Sequence, residues 1–212
     1  MQLDPHAFNR FLAFIGQDAL WRRSYTCPCR NPTSGAPDPR CLQCFGKGHT
    51  WNAPDRSTVG MASQKTQERW AVSGRFQEGD IVVTIPGDVS MYDIGQYDRV
   101  TMLNSSDRFS QPYTRGAPSE RMVFQPESLE RVYWLHPTTK QPVEGALPTI
   151  SDEGVFTWPA VGAPPLGVTY SITGKRRSEY FCFGELPSNR NMHGGAALPR
   201  KVVLRRWDLF GR

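Results

Sequence analysis

Asp80-Ile81-Val82-Val83-Thr84-Ile85-Pro86 decides the fold class. Its β-branched residues lose little by lying extended and pack well on a pleated surface. Similar strand-like runs recur on both sides: Glu68–Phe76, Tyr97–Leu103, Met122–Phe124, Val132–Leu135, Val155–Trp158, Val168–Ile172, Glu179–Phe183 and Lys201–Trp207. They are short and punctuated by Gly and Pro. Nineteen Gly and eighteen Pro in 212 residues imply many turns. The expectation is a mainly β domain over residues 68–212, a β-barrel or sandwich. No internal repeat of fixed period interrupts that reading.

Upstream the pattern changes. Asp4-Pro5 suits a helix start, with Asp capping free N–H groups and Pro at the first helical position. Phe8, Phe11, Leu12, Ile15 and Leu20 then fall on one stripe, predicting an amphipathic helix over about residues 5–20, within an N-terminal segment 1–23. Its apolar face needs a partner, either the body of the protein or a neighbouring subunit. Residues 53–67 are polar and read as a linker. Asn104–Glu120 reads as a polar, mobile loop, and its composition leaves open whether it orders before or on assembly. No apolar run of about eighteen residues occurs, so no membrane span is expected.

Between helix and linker, residues 24–52 hold four of the five cysteines, as Cys27-Pro28-Cys29 and Cys41-Leu42-Gln43-Cys44-Phe45-Gly46-Lys47-Gly48. Two close thiol pairs match the tetrahedral, all-sulfur site of a structural zinc. Gly46 and Gly48 permit positive φ or close backbone approach where the chain turns. The loop between the pairs contains Pro32, Gly35, Pro37 and Pro39, which disfavours regular structure. A metal that closes it can contribute on the order of 10 kcal/mol to folding. A disulfide pair, free thiols, or an iron–sulfur or redox site are the alternatives. The first residues show no secretory pattern, so the expected compartment is reducing and the thiols read as ligands. Trp51 is expected to pack against this module. His49 is a reserve ligand, and Cys182, in an aromatic run, an inert buried thiol.

The chain carries 25 Lys and Arg against 20 Asp and Glu, a net charge of +5. The excess gathers at Lys175, Arg176 and Arg177, and at Arg200, Lys201, Arg205, Arg206 and Arg212. These are the candidates for contact with DNA or with another subunit. Catalytic constellations are missing from the sequence. His6, His49, His136 and His193 are scattered, and no HExxH, GxSxG, P-loop or GxGxxG occurs. Met192-His193-Gly194-Gly195 reads as a glycine-rich loop and Asp152-Glu153 as a solvated turn. A metal held by four cysteines offers no position for activated water. The chain therefore reads as a non-enzyme with no small-molecule substrate. Two classes remain: a zinc-containing nucleic-acid-binding protein, or a building block of a larger assembly.

Two stretches of the β region carry a resemblance. Glu78-Gly79-Asp80-Ile81-Val82-Val83-Thr84-Ile85-Pro86 with Met91-Tyr92-Asp93-Ile94-Gly95-Gln96-Tyr97-Asp98-Arg99-Val100, and Pro164–Thr173 with the closing Leu198–Arg206, resemble segments of tailed-bacteriophage virion proteins of the head-to-tail connector or neck (head-closure) group. The cysteine stretch resembles an N-terminal insertion in that group, and half of the cysteine-rich repeat of J-domain co-chaperones, with CxC as its first pair. The resemblance implies a homo-oligomeric ring of six or twelve copies around the DNA channel. It also implies adjacent virion proteins such as a portal or tail ring as partners, non-specific contact with packaged DNA, and location in the virion after assembly in the host cytoplasm. A tail or baseplate ring is the alternative position.

Overall fold

A computed structural model describes residues 4–124, 126–151, 154–186, 192–193 and 195–210. Asp152, Glu153, Gly194 and Arg212, singled out above, lie outside the described residues, as does the side chain of His193. The chain is mainly β, with an N-terminal helix. In order it forms α1 (Pro5–Ile15), β1 (Gln17–Arg22), β2 (Ser24–Thr26), β3 (His49–Trp51), β4 (Asp55–Met61), α2 (Gln64–Ala71) and β5 (Ile81–Ile85). There follow β6 (Arg99–Thr114), β7 (Pro126–Leu135), β8 (Pro142–Glu144), β9 (Thr149–Ile150), β10 (Phe156–Thr157), β11 (Thr169–Glu185), β12 (Met192–His193), β13 (Ala196–Ala197) and β14 (Arg200–Arg206). Two compact units result: Met1–Asn104 with Glu179–Arg212, and Ser105–Ser178. The long strands β6 and β11 contribute residues to both.

In the first unit the pairings run β14–β5–β4–β1–β6–β11, and β11 pairs back with β14. Six strands thus close a ring, which leaves no strand edge between its first and last members. Alternate residues point inside: Ala19 and Trp21 on β1, Val83 and Ile85 on β5, Val100 and Met102 on β6, Val202 and Leu204 on β14. The apolar run Ile81–Ile85 is continuous because β5 is covered on both faces. Val83 and Ile85 face the interior, while Val82 packs with Trp70 of α2 and with Val203.

Three expectations for this unit need correction. Glu68–Phe76 does not form a strand; Gln64–Ala71 is the helix α2. It buries only Trp70, so it shows no apolar stripe. Its Gln67 side chain instead donates to the Val82 carbonyl at 2.8 Å and accepts from the Val82 N–H at 2.9 Å, as a neighbouring strand would. Residues 53–67 are not a linker, because Asp55–Met61 is β4 inside the ring. The first helix ends at Ile15 rather than near residue 20. A Cβ on Gly16 would lie 2.4 Å from both the Leu12 carbonyl and a Thr58 methyl, so only glycine allows this turn, and Leu20 belongs to β1. Asp4 does cap the helix, its Oδ1 accepting from the His6 N–H at 2.9 Å. Leu12 packs down over Gly60, whereas Phe11 and Phe14 are 55% and 90% exposed.

The second unit is a sheet of β6, β11, β7 and β8 with the small hairpin β9–β10. Its core is Phe109, Met122, Phe124, Val132, Trp134, Phe156, Tyr170 and Ile172. The stretch expected as a mobile loop is strand through Thr114. Pairing with β11 explains this, since polar side chains meet across the strands: Ser110 Oγ lies 3.2 Å from Ser171 Oγ, and Thr114 Oγ1 lies 3.2 Å from Thr169 Oγ1. From this polar stretch Phe109 is buried in the core and Tyr113 packs against it. The following turn closes on Glu120, which accepts from the Gly116 N–H at 2.6 Å, Tyr170 Oη at 2.7 Å and Trp158 Nε1 at 3.2 Å.

Candidate metal centre

The strands β2 and β3 pair Ser24 with Trp51 and Thr26 with His49, forming a narrow stem. From this stem the proline-rich segment loops out and returns. The Cys27 N–H donates to the Gly48 carbonyl at 2.9 Å, and the Gly48 N–H donates to Cys44 Sγ at 3.3 Å. Phe45, Gly46 and Gly48 take positive φ of 50°, 78° and 73°. A Cβ on Gly46 would sit 3.3 Å from the Pro39 backbone, so close approach and positive φ both apply there, as the glycine spacing predicts.

This path gathers the four sulfurs. The Sγ atoms of Cys27, Cys29, Cys41 and Cys44 all lie within 4.8 Å of one another and can hold a metal ion. Cys27 and Cys41 approach to 3.8 Å, Cys29 and Cys44 to 3.5 Å. None of the five cysteines is paired in a disulfide. Backbone N–H groups of Cys44 and Gln43 aim at the Cys41 sulfur and lower that thiol to about 7, while burial raises Cys29 to about 12. No other group of three or more metal-ligating side chains occurs among the described residues.

Below the cluster the loop rests on aromatic rings. Trp51 packs edge-on against Trp207 at 5.0 Å and donates through Nε1 to the Tyr97 carbonyl at 3.0 Å. Lys47 lies over Trp207 at 5.2 Å and donates to the Phe210 carbonyl at 3.4 Å. His49, the reserve ligand, is not in the sulfur cluster. It is buried beside Tyr97, ring centroids 4.6 Å apart, with Nδ1 lacking a hydrogen-bond partner among the described residues. Burial, and then the Arg30 charge, hold its pKa below the ordinary histidine value. Cys182 is buried inside the barrel, as its aromatic context suggests, and burial raises its thiol to about 12.

The basic residues do not form one surface. Arg205 is inside: Nε reaches Asp80 Oδ1 at 3.0 Å, Nη2 reaches Asp80 Oδ2 at 2.9 Å, and the guanidinium lies 3.8 Å from the Phe183 ring centroid. Asp80 also accepts from Trp70 Nε1 at 3.1 Å. Arg200 pairs with Glu185 and donates to the Tyr92 carbonyl. These two charges are ion-paired and largely buried within the first unit, which corrects their assignment to an outward contact surface. The alternation of β14 explains the error: in this stretch a residue is either on the covered face or close to it. Arg206 pairs at the surface with Asp208 at 3.3 Å, and Lys201 is half-buried. In the second unit Arg177 pairs with Glu127 at 3.8 Å, Arg176 stacks over Phe124 at 5.1 Å, and Lys175 is exposed. Sequence reasoning passed over the buried carboxylates Asp80, Asp98 and Glu120. Isolated acids among polar residues carry no signal of burial.

No protein-family model matches the chain, and no curated protein matches it in sequence. The class is therefore defined by the fold and the site alone: a mainly β protein with an N-terminal helix and a four-cysteine knuckle able to hold a metal ion. No helix among the described residues is long and apolar enough to cross a membrane.

Proposed function

We propose that this chain is a structural subunit of a tailed-phage virion neck, a head-to-tail connector or head-closure ring component. In this reading Cys27, Cys29, Cys41 and Cys44 hold a structural zinc. Zinc–thiolate bonds of about 2.3 Å put tetrahedral sulfurs about 3.8 Å apart, and the sulfur separations of 3.8 and 3.5 Å suit that geometry. Bound zinc supplies a crosslink and no reaction, since four thiolates fill its coordination. The chain's own part is to carry the knuckle on the stem β2–β3 and seat it on Trp207 and Phe210.

The observation that carries the assembly reading is α1. Phe8, Phe11, Phe14 and Ile15 leave 42%, 55%, 90% and 53% of their surfaces exposed on one short helix. Such a cluster of exposed large apolar residues is uncommon on a monomer and common at interfaces. The resemblance of the β stretches to neck proteins supports the choice of assembly. The alternative reading as a nucleic-acid-binding protein has less support, because Arg200 and Arg205 are paired internally. Electron microscopy of the purified protein, alone and with portal or tail-ring partners, tests the proposal. Rings of fixed copy number are expected; a protein that stays monomeric in every mixture overturns it. Elemental analysis tests the zinc, at one ion per chain.

A further inference from the structure

The outer face of the barrel carries two arginines that share one acid. Arg22 on β1 and Arg99 on β6 are cross-strand partners, so their side chains stand on the same face. Arg99 Nη2 reaches Glu179 Oε2 at 2.6 Å, with the two side chains only 19% and 13% exposed. Among the described residues Arg22 makes one long hydrogen bond, Nη1 to Thr101 Oγ1 at 3.4 Å. The Arg99 Nε–H is buried and has no hydrogen-bond partner among the described residues. Trp207 closes one side, its ring 4.5 Å below the Arg99 guanidinium.

Two positive groups and one negative group leave this half-buried patch one charge short. The nearest further carboxylate in sequence, Asp98, does not help. It lies on the inner side, buried, and is saturated by Trp21 Nε1 at 2.8 Å and the N–H groups of Ser24 and Gly95 at 2.7 and 2.9 Å. Burial, then the charge of Arg99, push the Arg22 guanidinium below its ordinary value, and Glu179 offsets only part of this. Like charges held together where water is scarce are costly unless an anion joins them. Guanidinium forks are well shaped for that anion, offering paired N–H donors to two oxygens at once.

We propose that Arg22 and Arg99 form a seat for a single oxyanion, a phosphate or a carboxylate. Arg22 keeps part of its surface in solvent and supplies the entry side. Thr101 takes no part as a donor, since its hydroxyl accepts from Arg22 and donates to Glu179 Oε1 at 3.5 Å; the unused Arg99 Nε–H is the second donor. The anion completes the charge balance that Glu179 alone leaves open. Two sources provide this chemistry: free phosphate, or an acidic side chain of a neighbouring copy.

The test is titration of the intact protein with inorganic phosphate and with acetate, against chloride at equal ionic strength. It is read by calorimetry, by Trp207 fluorescence and by thermal unfolding, with sedimentation of the same samples. Saturable binding tighter than about 10 mM is expected. Arg22→Gln, which removes charge without touching Trp207, is expected to weaken it at least tenfold, and Arg99→Lys, which keeps a cation for Glu179 but removes the Nε–H, severalfold. If a neighbouring copy's carboxylate is the natural occupant, phosphate also lowers self-association and Arg22→Gln abolishes it. If free phosphate is the occupant, association is unchanged while both variants still lose binding. Absence of saturable binding, or equal binding by wild type and both variants, overturns the proposal.

Discussion

Two irregular segments of this chain look alike in composition and are held in different ways. The cysteine knuckle, residues 27–48, and the turn Arg115–Glu120 are both polar, Pro- and Gly-containing, and poor in apolar residues. The knuckle is gathered by four sulfurs and rests on rings at its base. The turn is gathered by one carboxylate, which is 8% exposed and takes hydrogen bonds from backbone, Tyr170 and Trp158 as well as the Arg115 charge at 3.4 Å. Without a local core, a loop needs some strong polar focus to offset its chain entropy. A sulfur cluster able to hold a metal ion and a buried, fully bonded carboxylate are two solutions of different strength.

That difference in strength orders the expected outcomes. The largest effect belongs to the knuckle. Replacing Cys41 and Cys44 by Ser, or stripping the metal with a chelator, should remove most of a contribution on the order of 10 kcal/mol. Proteolysis should then cut between residues 30 and 40, and Trp207 fluorescence should change as Lys47 and Trp51 leave it. Intact, protease-resistant knuckles in the metal-free double variant would show that the rings suffice without sulfur ligation.

Next comes the carboxylate. Glu120→Gln keeps the shape but loses the charge, and should cost about 2 kcal/mol, as for charged hydrogen bonds. Amide exchange in residues 105–178 would report it. The knuckle should be unaffected, since its focus lies in the other unit; loosening of both would mean that the two loops are not independently held.

The pH dependence of the same variant sharpens the contrast. Burial raises the Glu120 pKa, but the Gly116 N–H, Tyr170, Trp158 and Arg115 outweigh it and hold the carboxyl below its ordinary value. A folded pKa lower than the unfolded one gives stability that is complete above the unfolded value of about 4.3 and is lost as pH falls through the folded value. The gap between wild type and Glu120→Gln should therefore narrow on acidification below about pH 4. A constant gap down to pH 2 would remove the charge from the explanation.

The smallest effects concern glycines with matched backbone. Gly46 and Gly116 have φ of 78° and 77°. Alanine at either should cost about 1–2 kcal/mol of left-handed strain. At Gly46 this should appear as roughly tenfold weaker metal binding; at Gly116 as faster amide exchange around Glu120. Equal metal affinity in Gly46→Ala would show that the knuckle relaxes around the ion.

Much of the fold could be read from the chain, and the misses have local causes. The run Ile81–Ile85, the cap at Asp4 and the CxC and CxxC pairs each act within a few residues of themselves. Strand, helix start and ligand set were therefore legible. Where a residue's role depends on a distant partner, the reading failed. α2 looked like a strand because its one buried side chain, Trp70, has its partners in Asp80 and Val203. Asn104–Thr114 looked mobile because its pairing with β11 lies more than fifty residues away.

The same division holds for the charges. Sequence alone determined that this protein is mainly β, that a capped helix begins it, and that four thiols meet in one knuckle, because periodicity, capping and ligand spacing are properties of short stretches. Only the tertiary structure decided that six strands close a ring, that Arg205 and Arg200 turn inward while Arg22 and Arg99 share Glu179, and that Glu120 gathers a turn. Burial and charge balance depend on neighbours that the fold brings together, and a residue's own position in the chain does not contain them.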